Sequence, residues 1–440
     1  MPTFFLPYEP GQDYLLPPSP GEWLPENHMA YFVSEIIERL DLREFYGGYE
    51  GDGRRNQPFA PVLMIKVLVY GYATGVFSSR QIAKKLYEDV AFRVLGAGNF
   101  PSHRTICDFR VRHLSELEEL FVQVVRMARE LGMVKLGTIG LDGTKIKANA
   151  SRHKAMSYGR MKTEEKRLKQ EIKGLLRRAR ATDSQEDKLF GEEGTEEVLP
   201  AELQRREGRL AKIEQAKARL EARQAEADRE RGRHPDDNQR GGGGAGRPFK
   251  QPFGVPKDKD QDNFTDPQSR IMKMGNRFEQ CYNAQAVVDG ESQLIIASGL
   301  TNNAADAGQL LPMVEEVKNN LGEQPDRVLA DSGYRCEQSF AELEEQGVEA
   351  LVALGRGEGK DRGVMDSARY PASARMAERL ASTEGQAHYR RRKVIPEPVF
   401  GWVKHILGFR QFSLRGLNKV TGEWNLVCLA INMRRMWALQ

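Results

Sequence analysis

Apolar positions along the chain fall at helical spacing over the first third, at strand spacing near residue 138, and at helical spacing again over a long charged stretch. They return to short strand-like blocks after residue 278. From Met29, the residues Phe32, Ile36, Ile37 and Leu40 share one helix face. A second apolar helix runs from about Pro61 to Tyr72. A third opens at Ser78, where Ser78-Ser79-Arg80-Gln81 reads as a capping box, and turns Ile82, Leu86 and Val90 inward. A fourth starts at Ser102, with Ile106, Phe109 and Val111 apolar and Arg104, Arg110, Arg112 and His113 basic. Helices near 79–95 and 102–118 suit a helix-turn-helix-like pair, and equally a plain bundle with a solvated basic face.

The pattern changes at Gly137. Thr138-Ile139-Gly140-Leu141-Asp142, continuing through Lys145-Ile146-Lys147, predicts a strand. A charged insertion over 155–270 follows. In it Leu168, Ile172, Leu175 and Ala179 keep the spacing of a coiled-coil seam, as do Leu203, Leu210, Ile213 and Leu220. The acidic stretch Asp183–Glu197 between them reads as a loop, so the insertion is expected to be an antiparallel helical hairpin. It ends in the glycine tract Gly241–Gly244 of a linker. Beyond 278, Cys281–Asp289 and Leu294–Gly299 predict strands joined by a turn at Asp289-Gly290-Glu291. A helix over Asp306–Leu321, a strand over Arg327–Asp331, a helix over Gln338–Gln346 and a strand over Glu349–Leu354 come next. A helix around Pro398–Leu407 and an apolar stretch, Trp424–Trp437, that packs on the core complete the chain. The expected sheet is mixed and five-stranded.

Composition narrows the class only a little. At 440 residues the chain accommodates two or three domains. Its 40% hydrophobic and 29% charged content fits a globular protein carrying a long solvated segment. The net charge of +4 does not itself point to nucleic acid, so the distribution of charge matters more. The four cysteines, Cys107, Cys281, Cys336 and Cys428, form no CxxC pair, and the seven histidines lack ligand spacing, which argues against structural zinc. No signal peptide and no apolar run of membrane length is apparent. The expectation is a cytoplasmic protein with no membrane partner.

The chemistry lies in three carboxylates. Asp142 and Asp331 stand at the ends of the first and fourth predicted strands of the sheet, and Glu397 opens the later helix. Taken singly, each has an ordinary role, as turn cap or first-turn helix acid. Taken together, their order along the chain is more specific. Clustered carboxylates repel unless a cation intervenes, and hard oxygen ligands select Mg²⁺ or Mn²⁺. Two such ions about 3.5–4 Å apart catalyse in-line attack on a phosphodiester. Around Glu397, residues 387–419 hold Arg390, Arg391, Arg392, Lys393, Lys404, Arg410, Arg415 and Lys419, with no other acid among them. Such a surround suits a DNA backbone. Phe400 and Trp402 read as packing residues, with base stacking open for Trp402.

The block Tyr389-Arg390-Arg391-Arg392-Lys393…Glu397…Lys404 resembles the C-terminal signature of bacterial insertion-sequence DDE transposases. Either Arg392 or Lys393 fills its basic position, because the interval from Tyr389 to Glu397 is one residue longer than the signature. Asn263-Phe264-Thr265-Asp266-Pro267, Gly275, Tyr282-Asn283-Ala284-Gln285, Thr301-Asn302-Asn303 and Leu329-Ala330-Asp331-Ser332-Gly333-Tyr334 are similar to the family as well. The resemblance implies an α/β fold: an RNase H-like, retroviral integrase-type catalytic core, an all-α N-terminal domain and the inserted hairpin. The divisions it implies are an extended segment 1–26, a helical DNA-binding or dimerisation domain 27–132, the first part of the core 133–154, the hairpin and linker 155–270, and the remaining core with its C-terminal helix 271–440. It implies Asp142, Asp331 and Glu397 as catalytic and metal residues for two Mg²⁺ ions, replaceable by Mn²⁺. DNA contacts are expected from Tyr389, Arg390, Arg392, Lys393, Lys404, Lys145, Lys147, Arg104, Arg110 and Arg112. The implied reaction is cleavage at terminal inverted repeats of double-stranded DNA and joining of the 3′-OH ends to target DNA, by a homodimer associated with the nucleoid. The alternative is a catalytically inactive, transposase-derived DNA-binding protein.

Overall fold

The computed structural model describes Ser19, residues 22–47, Tyr49, and residues 58–190, 201–236, 251–355 and 366–440; for residues 178–190 and 201–202 it describes the backbone alone. Most of the expected extended segment, the tip of the acidic loop and the tract Gly241–Gly244 lie outside these residues.

The described N-terminal elements are helical: α1 (Met29–Arg39), α2 (Arg43–Gly47), α3 (Pro61–Ala73), α4 (Ser79–Glu88), α5 (Val90–Gly96), α6 (His103–Arg112) and α7 (Leu114–Glu130). In α1, Phe32, Ile36 and Ile37 are buried as their spacing predicts. α3 is buried on nearly every side, as its unbroken apolar composition requires. Two expectations fail. Ser78 is the N-cap of α4, but its side chain accepts no capping hydrogen bond, so no capping box forms. The helices expected over 79–95 and 102–118 are also both broken. Asp89 stops the first by accepting from the backbone N–H of Ala91, which starts α5. The second breaks at the buried His113.

After α7 come β1 (Thr138–Lys147), β2 (Ala155–Ser157), α8 (Tyr158–Phe190), α9 (Ala201–Glu230), β3 (Gln261–Asn263), β4 (Arg270–Met274), β5 (Arg277–Asp289) and β6 (Ile295–Thr301). The chain continues through α10 (Leu310–Leu321), β7 (Arg327–Ala330), α11 (Glu337–Glu345), β8 (Glu349–Val352), α12 (Pro371–Ala381), α13 (Thr383–Arg390), α14 (Pro396–Gly401) and α15 (Leu417–Ala438). The architecture is mixed α/β. The main sheet has six strands rather than five. β5 pairs antiparallel with β1 on one edge and with β4 and β6 on the other; β7 is parallel to β1, and β8 to β7. β4 escaped the sequence reading because it buries only Met272, which leaves no apolar alternation to see.

The helices before Gly137 and the sheet share one continuous apolar core. α15 joins them: it is buried around its whole circumference and packs on α3, α7 and β6. Its Asn432 exchanges two hydrogen bonds with the backbone of Ile295, 2.8 and 2.7 Å, and its Trp424 donates to the Gln285 carbonyl at 3.0 Å.

α8 and α9 form an antiparallel hairpin, shown by Lys169 pairing with Glu214 while Glu171 pairs with Arg206. Leu168, Ile213 and Leu220 are buried in its seam with Tyr158, Met161 and Ala216, about 2 kcal/mol for each large side chain. Part of the acidic segment expected as loop, Asp183–Phe190, is helical. The root of the hairpin is tied to the small β2–β3 ribbon. There the fully buried Asp262 accepts from Arg219 at 2.7 Å and Arg223 at 2.6 Å.

Candidate active site

Asp142 and Asp331 meet because β1 and β7 are parallel neighbours. Their register pairs Thr138 with Arg327, Ile139 with Val328 and Gly140 with Leu329. Continued two residues along both chains, it sets Asp142 across from Asp331, at a strand separation of about 4.8 Å. Each carboxylate also makes the ordinary local bond. Asp142 Oδ1 accepts from the Gly143 N–H at 2.8 Å, and Asp331 Oδ1 from the Gly333 N–H at 2.7 Å. Among the described residues neither Oδ2 has a hydrogen-bond partner, so one oxygen of each remains available. Burial pushes the Asp142 carboxyl up to about 6, and the charge of Asp331 adds to that rise. A cation between the two would relieve this conflict.

Glu397 arrives from the other side of β1. Ile395 and Pro396 pack directly on Gly140; a Cβ there would stand 2.8 Å from both, so only glycine lets this segment so close to the strand. Pro396 occupies the first turn of α14, where its missing N–H costs nothing, and Glu397 follows it. The helix expected over Pro398–Leu407 begins at Pro396 and passes into a π turn over Trp402–Ile406. In this arrangement Glu397 Oε1 accepts from Arg392 at 3.3 Å. Among the described residues no three His, Cys, Asp or Glu side chains stand together as a metal-ligand set. Asp142 and Asp331 fit a hard cation by their paired, half-buried, all-oxygen chemistry. Glu397 is instead paired with Arg392, whose charge also reaches Asp142.

A further carboxylate stands here that the sequence reading missed. Asp306, expected inside a helix, lies in the turn before α10. Its Oδ1 accepts from Asn283 Nδ2 at 2.7 Å and Gln285 Nε2 at 2.9 Å, with Lys145 Nζ 3.6 Å away. The Tyr334 hydroxyl donates to Gln285 Oε1 and so aims that amide nitrogen at Asp306. Burial raises the Tyr334 hydroxyl well above its usual range, with Asp306, Asp142 and Asp331 adding to the effect. Gly143 is again a close approach: a Cβ there would meet Asp306 Oδ1 at 2.7 Å and Asn283 Oδ1 at 3.1 Å. The blocks Tyr282-Asn283-Ala284-Gln285 and Ser332-Gly333-Tyr334 were legible in sequence, but their convergence on Asp306 was not.

The expected DNA contacts divide. Lys404 donates to Thr144 Oγ1, two residues beyond Asp142, and its ammonium is lowered mainly by burial. Arg392 is mostly buried beside Glu397, whereas Arg390 and Lys393 are exposed. Lys145 faces Asp306, and Lys147 pairs with Glu279 at 3.3 Å. Arg104 and Arg112 are exposed on α6. Tyr389 lies partly buried with its hydroxyl donating to the Ala330 carbonyl at 3.3 Å, directly before Asp331. Arg110 is a correction. It is 4% exposed, and its guanidinium donates to Tyr72 Oη at 2.7 Å and to the Phe77 carbonyl at 3.1 Å. Helical spacing placed it on a basic face, but packing of α6 on α3 turned it into the core, where no DNA backbone can reach it. Phe400 is buried; Trp402 is exposed, with Arg434 stacked over its ring at 4.9 Å.

No helix among the described residues is long and apolar enough to cross a membrane. A family model described as transposase DDE domain matches residues 250–433, a span that contains Asp306, Asp331 and Glu397. A second, described as transposase domain (DUF772), matches residues 18–112 and takes in α1 to α6. No curated protein and no solved structure matches the chain. Two transposase models along one chain, in this order, identify it as a member of the insertion-sequence DDE transposases.

Proposed function

We propose that this transposase cuts double-stranded DNA at terminal inverted repeats and joins the freed 3′-OH ends to target DNA. In this reading Asp142, Asp331 and Glu397 are the catalytic and metal-binding residues. The observation that carries it is the register of β1 and β7, which makes neighbours of Asp142 and Asp331 although 189 positions separate them. The strand order, with β1 between antiparallel β5 and parallel β7, supports an RNase H-like core interrupted by the α8–α9 hairpin. The DDE transposases generally depend on a divalent metal. Two Mg²⁺ ions, or Mn²⁺, would activate the attacking oxygen and stabilise the leaving one.

The chain's own residues have separable tasks in this scheme. Asp142 and Asp331 present their free Oδ2 atoms from the two central strands of the sheet. Arg392 neutralises Glu397 in the absence of DNA and would exchange that partner for a phosphate when DNA binds, which would leave Glu397 available to help hold a cation. Lys404, docked on Thr144, brings a second positive charge next to Asp142, and Arg390 and Lys393 extend that surface. Arg104 and Arg112, on the helical region 27–132, take part in end binding, and a homodimer brings two ends together. The Arg392–Glu397 pair is also the observation that favours the second reading, an inactive DNA-binding relic.

One experiment separates the two. A plasmid carrying the gene with its native flanks is incubated with the protein and Mg²⁺, with EDTA, and with the Asp142→Asn variant. Metal-dependent cuts at both flanks, absent from the variant, are expected. Binding at the flanks without cleavage in Mg²⁺ or Mn²⁺ would establish the relic.

A further inference from the structure

β1 does more than carry Asp142. It leads on through Lys147, roughly 17 Å further along the strand, to the short turn Arg152–Lys154 and the β2–β3 ribbon at the root of the hairpin. There the ribbon and the two hairpin helices enclose an open cleft of about 650 Å³. Its charged lining is His153, Lys154, Arg160, Arg209, Lys212 and Arg219, with no carboxylate. A second hollow of about 450 Å³ adjoins it at His153 and adds Arg152 and Arg277, with Glu279 as its one acid.

The pairing of these cations is uneven, and what sets the cleft apart is that they converge on a lining without a carboxylate. Arg219 is held by Asp262 and is part of the scaffold. Arg209 approaches Glu164 only at 3.7 Å. Lys154, Arg160 and Lys212 make no ion pair within 4 Å among the described residues, although the charge of Arg160 reaches Glu164. Here unpaired cations from three separate segments face one cleft. Mutual repulsion disfavours such a cluster unless an anion occupies it.

We propose that this cleft is a binding surface for the phosphate backbone of duplex DNA, extending from the carboxylates along Lys147, Arg277 and Arg152 to Lys154, Arg160 and Lys212. The path from Asp142 to Lys147 alone covers about half a turn of B-form DNA. The same duplex then engages the carboxylates and the hairpin root together. The contacts are to phosphates, so they position the DNA without reading its sequence. This inference rests on the transposase reading for its ligand, and on no catalytic step.

The test uses the full chain with Lys154→Glu, Lys212→Glu and the double variant, all at exposed positions. Binding is measured by anisotropy against a duplex from the gene's native flank and against a random duplex, over a series of salt concentrations, in EDTA. Each substitution is expected to weaken binding to both duplexes roughly tenfold near 0.1 M salt and to lower the salt slope by about 0.9; the double lowers it by about 1.8. Lys154→Gln and Lys212→Gln should give smaller losses in the same order, with unchanged melting temperatures. Unchanged affinity and slope in the double variant, while the wild type binds, would overturn the cleft proposal. Asp142→Asn should bind with the full salt slope. If the wild type fails to cleave in Mg²⁺ or Mn²⁺ but the cleft variants still lose affinity in EDTA, the catalytic reading fails and the cleft stands. A wild type that binds neither duplex overturns both.

Discussion

Removing the charge of Asp142 should stabilise the protein when no divalent cation is present, and only at high enough pH. The carboxyl is raised from 3.8 to about 6, chiefly by burial and next by the charge of Asp331. At about 1.4 kcal/mol per unit, ionised Asp142 costs the folded state about 3 kcal/mol. The folded value lies above the unfolded one, so the unfolded chain loses its proton first. Below about pH 4 both states are protonated and there is no penalty. Stability falls as pH rises from there through 6, and the whole loss is present above it. Asn at this position keeps the acceptor for the Gly143 N–H and cannot ionise. Asp142→Asn should therefore melt about 3 °C higher than the wild type at pH 8 in EDTA, taking the chain as one cooperative unit, and at the same temperature near pH 4. Mn²⁺ should close the gap at pH 8 by stabilising the wild type more. Scanning calorimetry at the two pH values, with and without metal, measures all of this. A variant less stable than the wild type at pH 8, or equally shifted at both pH values, would refute the electrostatic account of the site.

Glu397→Gln should retain DNA affinity and lose cleavage by at least about 100-fold, read from gel products beside a binding isotherm; unchanged cleavage removes Glu397 from the mechanism. Asp306→Asn should weaken Mn²⁺ binding by on the order of 10-fold in calorimetric titration, because it removes the charge that Asn283, Gln285 and Lys145 hold beside the site; unaltered affinity would make Asp306 a purely structural acid. Arg110→Leu should destabilise the fold by about 3 kcal/mol, because it removes the donor to Tyr72 and the positive charge that offsets the buried Glu423. Its DNA affinity, measured well below its melting temperature, should match the wild type.

Local pattern was enough for much of this molecule. The helix of Phe32, Ile36 and Ile37, the strand through Asp142, the hairpin seam of Leu168 and Ile213 and the order of the three carboxylates all follow from residue periodicity and short motifs, because each depends on neighbours within a few positions. What long-range packing governs stayed hidden. Burial of Arg110 depends on where α3 lies, not on its place in α6. β4 exists because β5 offers an edge for it, and its own residues carry no strand signal. Asp306 reaches the site because α10 starts four residues later than its helical pattern suggests, and because Asn283, Gln285 and Tyr334 come from other elements to hold it. Glu397 was legible as an acid in a basic segment; that it pairs with Arg392 is decided by two side chains meeting at a helix start. The sequence by itself pointed to Asp142, Asp331 and Glu397, the residues proposed to carry the chemistry. The tertiary structure decided which of them are adjacent, buried or paired, because charge and desolvation depend on distance in space rather than along the chain.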